Sequence, residues 1–142
     1  MRVKEKWVLV ADDDHHARFL LCSLLDHAGY HVVPACDGLA ALQELTKRPF
    51  DVLITDYRMP VMNGLELLKR TRALHPRLPV ILVSGAMPDD ISVSDCGPFV
   101  CLPKPYDNAR LLEVLRCATA ELSAGKKPVL SSEVRPSLTD TG

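Results

Sequence analysis

Several classes are excluded by what this chain of 142 residues lacks. It has no excess of one charge. Its 17 Lys and Arg stand against 18 Asp and Glu, and a net charge of -1 gives no argument for binding nucleic acid. The five cysteines, Cys22, Cys36, Cys96, Cys101 and Cys117, form no CxxC pair and no zinc-ligand spacing. Their count is odd, so they read as buried thiols in a reducing cytosol rather than as a disulfide framework. No hydrophobic run is long enough to span a membrane. The N-terminal MRVKEKWVLVADDD carries basic residues, but its apolar run, Trp7–Ala11, is too short for a signal peptide. These absences lead to the expectation of a soluble cytoplasmic protein.

What is present is enough apolar sequence for one core. The chain is 47% hydrophobic and 25% charged, and its length suits one domain. Trp7–Ala11 is continuously apolar, as in a strand buried on both faces, and it ends at Asp12-Asp13-Asp14. Ala17, Leu20, Leu21, Leu24 and Ala28 then recur at helical spacing up to Gly29, a plausible helix stop. Residues 30–35 form a second strand, and Pro34 inside it predicts a sheet edge, because proline cannot donate to a ladder. Asp37 is placed to cap a helix with Leu39, Leu42 and Leu45 on its stripe.

The organising stretch follows, DVLITDYRMPVMNG at residues 51–64. An apolar, β-branched strand delivers Asp56 to its carboxyl end. Asn63, with Glu66 three residues on, then opens a helix bearing Leu65, Leu68 and Leu74. Residues 80–83 are a fourth strand, ending at Ser84-Gly85. Residues 86–98 are expected to hold a short, poor helix, since Ser, Asp, Val and Pro are weak helix formers. Residues 99–102 make a fifth strand closed by Pro103-Lys104-Pro105, and Asp107 caps a last helix with Leu111, Leu115, Ala118 and Leu122. From Ser123 the composition turns to Ser, Pro, Gly and mixed charge. Residues 1–122 are therefore read as one folded domain and 123–142 as a disordered tail.

Strands alternating with helices imply an α/β fold, a five-stranded parallel sheet with helices on both faces. The two proline-bearing strands suit the two edges of the order 2-1-3-4-5, the flavodoxin-like three-layer sandwich. In such a sheet every strand ends on one edge. Asp12 and Asp13, Asp56, Ser84 and Lys104 can then converge. Three carboxylates together repel, and a divalent cation removes that penalty. An all-oxygen donor set completed by water suits Mg²⁺ better than zinc. One ammonium and one hydroxyl complete a cluster shaped for a phosphoryl group, for which an aspartate is a competent nucleophile.

With these residues in order, the sequence resembles the receiver domain of two-component response regulators over roughly residues 5–122. The matching motifs are Asp12-Asp13, Asp56 with Met59-Pro60 and Gly64, Ser84-Gly85, and Lys104-Pro105. The resemblance implies a stand-alone phosphoacceptor that takes a phosphoryl group onto Asp56 from a sensor histidine kinase or a histidine phosphotransfer protein. It implies Mg²⁺ held by Asp13, Asp56 and the backbone carbonyl of Arg58, with Asp12 acting directly or through water. Ser84 would sense the phosphoryl group, Lys104 would pair with it, and the Lys104–Pro105 bond would be cis. Such a protein catalyses only its own phosphorylation and dephosphorylation. It then relays the phosphate or switches the binding of a downstream protein, as a monomer or weak dimer, with no membrane or nucleic-acid partner.

The chain departs from the family at one position. Receivers usually carry Tyr or Phe three residues before the strand-five lysine, as the ring that reports the switch, and Cys101 stands there instead. Phe99 shares its side of the strand but lies further along. A non-switching receiver used as a binding module is therefore the alternative. A haloacid-dehalogenase-like phosphatase is disfavoured, because Arg58 replaces the second aspartate of that class. Blander roles compete at single positions: Asp12, Asp13 or Asp14 as the cap of the first helix, Lys104 as a solvated edge lysine, Ser84 as an ordinary strand end. His15 and His16 read as an exposed helix start. Arg58, two residues past Asp56, is expected to influence dephosphorylation.

Overall fold

The computed structural model describes residues 6–85 and 99–123, the side chains of 120–123 excepted. The weak helix expected in 86–98 and the tail expected past the last helix lie outside the described residues. The elements run β1 (Trp7–Ala11), α1 (His15–His27), β2 (His31–Ala35), α2 (Gly38–Lys47), β3 (Val52–Asp56), α3 (Gly64–Leu74), β4 (Val80–Ser84), β5 (Phe99–Pro103) and α4 (Asn108–Ser123). The five strands form one sheet in the order β2-β1-β3-β4-β5, and every described pairing is parallel. β2 and β5 take the edges, where the missing N–H groups of Pro34 and Pro103 break no interior ladder.

Strand residues alternate between two cores, as the period of 2 requires. Val8, Val10, Val52, Ile54, Ile81 and Val83 meet Leu25 of α1 and Leu111, Leu115 and Ala118 of α4. On the other face Leu9, Ala11, Leu53 and Val80 meet Ala41 and Leu45 of α2 and Leu67 and Leu68 of α3. Burying a side chain such as Leu25 or Leu115 completely contributes about 1.5–3 kcal/mol.

The last helix buries Leu111, Leu115 and Ala118 of its expected stripe. In the other three it holds in part: Leu45 of α2 and Leu68 of α3 are buried, and Leu21 and Leu24 of α1 pack against the core. Leu20 is 53% exposed and Leu39 60% exposed, while Leu25 and Ala41 are fully buried. Leu74, at 46% exposure, ends α3 beyond the core, and Leu67 and Thr71 take the buried positions. A stripe of leucines reports spacing alone. Which of the evenly spaced residues lies over the sheet depends on how the helix is rotated against the strands.

The caps hold as read. Asp14 accepts from the N–H groups of His16 and Ala17, Asp37 from Ala40, Asn63 from Glu66 and Asp107 from Arg110. Gly29, at φ 104°, follows the end of α1 in the conformation glycine tolerates. Gly64 is required for a different reason. A Cβ there would stand 2.5 Å from the Asp56 carbonyl oxygen and 2.9 Å from the Tyr57 Cα. Its N–H also donates to the Tyr57 carbonyl at 2.7 Å, so α3 starts pressed against the end of β3.

Candidate functional site

The register brings the strand ends to one level. Ala11 lies opposite Thr55, Asp56 opposite Val83, and Ser84 opposite Pro103. The next residues, Asp12 and Lys104, therefore emerge on the edge where Asp56 and Ser84 end. Two backbone bonds across the edge hold this arrangement. Tyr57 N–H donates to Val83 O at 2.7 Å, and Lys104 N–H donates to Ser84 O at 2.8 Å. The Lys104–Pro105 peptide is cis.

The three consecutive aspartates have different surroundings. Asp14 caps α1. Asp12 is buried, and its Oδ1 accepts the Asp14 N–H at 3.0 Å. Asp13 is exposed. One carboxylate oxygen each from Asp12, Asp13 and Asp56 lie within 4.8 Å of one another. Lys104 Nζ stands 2.8 Å from Asp56 Oδ1, and the Asp56 side chain is only 13% exposed. Ser84 is buried at the end of β4. Arg58 is exposed on the rim of an open cleft of about 510 Å³ that it lines with Asp13, Tyr57, Met59, Pro60 and Asn63. The sequence-predicted site residues are thus gathered on one edge. Asp12 and Asp13 are not helix caps, and Lys104 is ion-paired rather than merely solvated.

The electrostatics show an excess of negative charge. Burial pushes the Asp12 carboxyl above its usual range, and the charges of Asp56 and Asp13 add to this. The Asp14 N–H and Lys104 oppose it without cancelling it. At Lys104 burial works against the charged form, but the bond to Asp56 and the charges of Asp56 and Asp12 outweigh it, so the ammonium is held more firmly than usual. Three convergent carboxylates with one ammonium between them are an oxygen-only donor set with charge left over. That fits a hard divalent cation.

Cys101 is half-buried beside the α2/α3-face core, opposite Leu82 in the register. Phe99 is on the same face and buried, but it pairs with Val80 at the start of β4, four residues from Ser84. It is therefore too far from the site to stand in for the missing ring. The sequence reading passed over two residues. Tyr106 is half-buried against the α1/α4-face core. Burial raises its phenol, and the charges of Lys104, Asp12 and Asp56 reach it. Its signal was its place two residues past Lys104. Arg18, on the first turns of α1, donates to the Asp12 carbonyl. Nothing in the helical pattern distinguishes it from a solvated arginine.

A profile of the response regulator receiver domain matches residues 8–116. The chain belongs to this family. It is 36% identical over 123 residues to the DNA-binding transcriptional regulator NtrC of Escherichia coli, covering 85% of this chain and 26% of that protein. It is 39% identical over 80 residues to the response regulator receiver protein CpdR of Brucella abortus, covering 56% of this chain and 67% of that protein. Among solved structures it is similar to the Vibrio cholerae chemotaxis protein CheY4, with a TM-score of 0.73 and 31% identity over 78% of this chain and 96% of that one. The receiver spans about a quarter of the length of the NtrC relative, so what that protein does beyond its matched part is not carried over.

Proposed function

We propose that this receiver of a two-component system is a phosphoacceptor whose nucleophile is Asp56. The observation that carries this reading is the Asp56 carboxylate set between Lys104 at 2.8 Å and the Asp12–Asp13 pair, on the open edge of the sheet. In the reaction an Asp56 oxygen attacks the phosphorus of a phosphohistidine on a sensor kinase or phosphotransfer protein. The new O–P bond forms as the N–P bond breaks, and the freed imidazole nitrogen keeps the electron pair and takes a proton from water. Lys104 leaves its pairing with Asp56 for a phosphoryl oxygen, and the Ser84 hydroxyl donates to another. Asp12, Asp13, Asp56 and the Arg58 main-chain carbonyl would hold Mg²⁺, which when bound offsets the charge of the incoming group. The domain is residues 1–122, acts in the cytoplasm and turns over no other substrate.

Incubation with Mg²⁺ and acetyl phosphate should give an acid-stable, base-labile phosphoryl adduct, absent from Asp56→Asn. No adduct from small donors or from any kinase would refute the reading. Cys101 favours a second one, a receiver that binds a partner without switching. That reading requires equal partner affinity with and without the adduct.

A further inference from the structure

Asp12 is held at three points. Its N–H donates to Ala35 O at 3.1 Å, its Oδ1 accepts the Asp14 N–H at 3.0 Å, and its carbonyl accepts from Arg18 Nη1 at 2.7 Å. The last is a short, charge-assisted bond from a half-buried guanidinium. Arg18 Nη2 lies 3.2 Å from His15 Nδ1, and the Arg18 main-chain N–H donates to Asp14 O at 2.9 Å. One residue therefore ties the loop bearing Asp12 and Asp13 to the helix that Asp14 caps. Among the described residues the guanidinium makes no ion pair with a carboxylate, although it is bonded to the main chain of Asp12, whose side chain belongs to the acidic cluster.

That choice of acceptor is informative. A guanidinium forked onto Asp12 or Asp13 would relieve their repulsion in the free protein, but it would occupy the oxygens a cation needs. A guanidinium on the main-chain carbonyl leaves those oxygens open and still fixes where they point. We propose that Arg18 is a positioning residue for the cation site, aiming the Asp12 and Asp13 carboxylates through the Asp12 carbonyl without neutralising either. The inference rests on the metal reading above and assigns a role to a residue outside the acidic cluster.

The positioning role and simple electrostatics predict opposite signs. Removing a positive charge near a dication site tightens binding if charge alone matters. Removing a positioning bond weakens binding, by about 10-fold for an outer hydrogen-bond partner of a metal ligand. The test is Mg²⁺ titration by calorimetry of the full chain and of Arg18→Ala and Arg18→Lys, with the thermal midpoint of each in EDTA. The expected result is a Kd for Arg18→Ala about 10-fold weaker than the parent's, and a Kd for Arg18→Lys nearer the parent than the alanine variant. Lysine keeps one donor and the charge, so its recovery separates the bond from helix packing. An alanine variant that binds Mg²⁺ as tightly as the parent, or more tightly, overturns the proposal. So does a lysine variant as weak as alanine. A parent that binds no Mg²⁺ overturns the metal reading, and this inference with it.

Discussion

Val61 occupies φ 72° with its side chain fully exposed in the loop between β3 and α3. The Met62 N–H donates to Pro60 O at 2.7 Å, so residues 60–62 close a three-residue γ-turn with Val61 at its centre. A positive φ costs an L-residue about 1–2 kcal/mol, and a β-branched residue sits at the upper end of that range. Val61→Gly removes the strain and loses no buried surface. Against this, the greater freedom of glycine in the unfolded chain costs about 0.5–1 kcal/mol. The net expectation is a gain of about 1 kcal/mol, or roughly 3–5 °C in Tm for a domain of this size. Urea unfolding followed by the emission of Trp7, the single tryptophan, which stacks on His31 at 4.7 Å, measures it. Val61→Asn should fall between valine and glycine, because asparagine tolerates the left-handed region. A glycine variant with an unchanged or lower midpoint at the same m-value would show that the γ-turn stores no strain.

Other substitutions probe the core and the site. Thr71 is fully buried and its hydroxyl has no hydrogen-bond partner, so Thr71→Val, which keeps the shape, should stabilise by about 1 kcal/mol in the same urea assay; a loss of stability would mean the hydroxyl is bonded after all. The raised Asp12 carboxyl favours the folded state below its ordinary value of 3.8, and that contribution is lost as pH rises through the raised folded value. At neutral pH in EDTA, Asp12→Asn should therefore have a higher thermal midpoint than the parent but gain less from added Mg²⁺; a lower midpoint in EDTA would contradict the burial argument. Arg58→Ala should speed decay of the aspartyl phosphate roughly 2- to 5-fold, the scale of an exposed charged contact. Decay at the parent rate, followed by loss of labelled phosphate, would leave Arg58 a rim arginine without a role.

Much of the site was legible because its residues sit at strand ends, where a change from apolar to polar sequence marks both the end and the functional group. Asp12, Asp56, Ser84 and Lys104 were found that way, and the edge placement of β2 and β5 followed from Pro34 and from the prolines around Lys104. Arg18 was not legible, because its bond to the Asp12 carbonyl depends on how α1 is angled against β1. Tyr106 was missed for a similar reason, since its neighbourhood to Asp12 and Asp56 is created by strands remote in sequence.

The amino-acid sequence by itself determined the types of the described elements, the parallel sheet and its order, and which carboxylate, hydroxyl and ammonium share one edge. These depend on local periodicity and on the rule that parallel strands all end on the same side. The tertiary structure alone decided which face of each helix is buried, which of three adjacent aspartates caps and which converge, and where the guanidinium of Arg18 is directed. It also showed that Val61 carries the strain of its loop. The physical reason is that these are matters of rotation and distance between elements, set by packing against partners far along the chain.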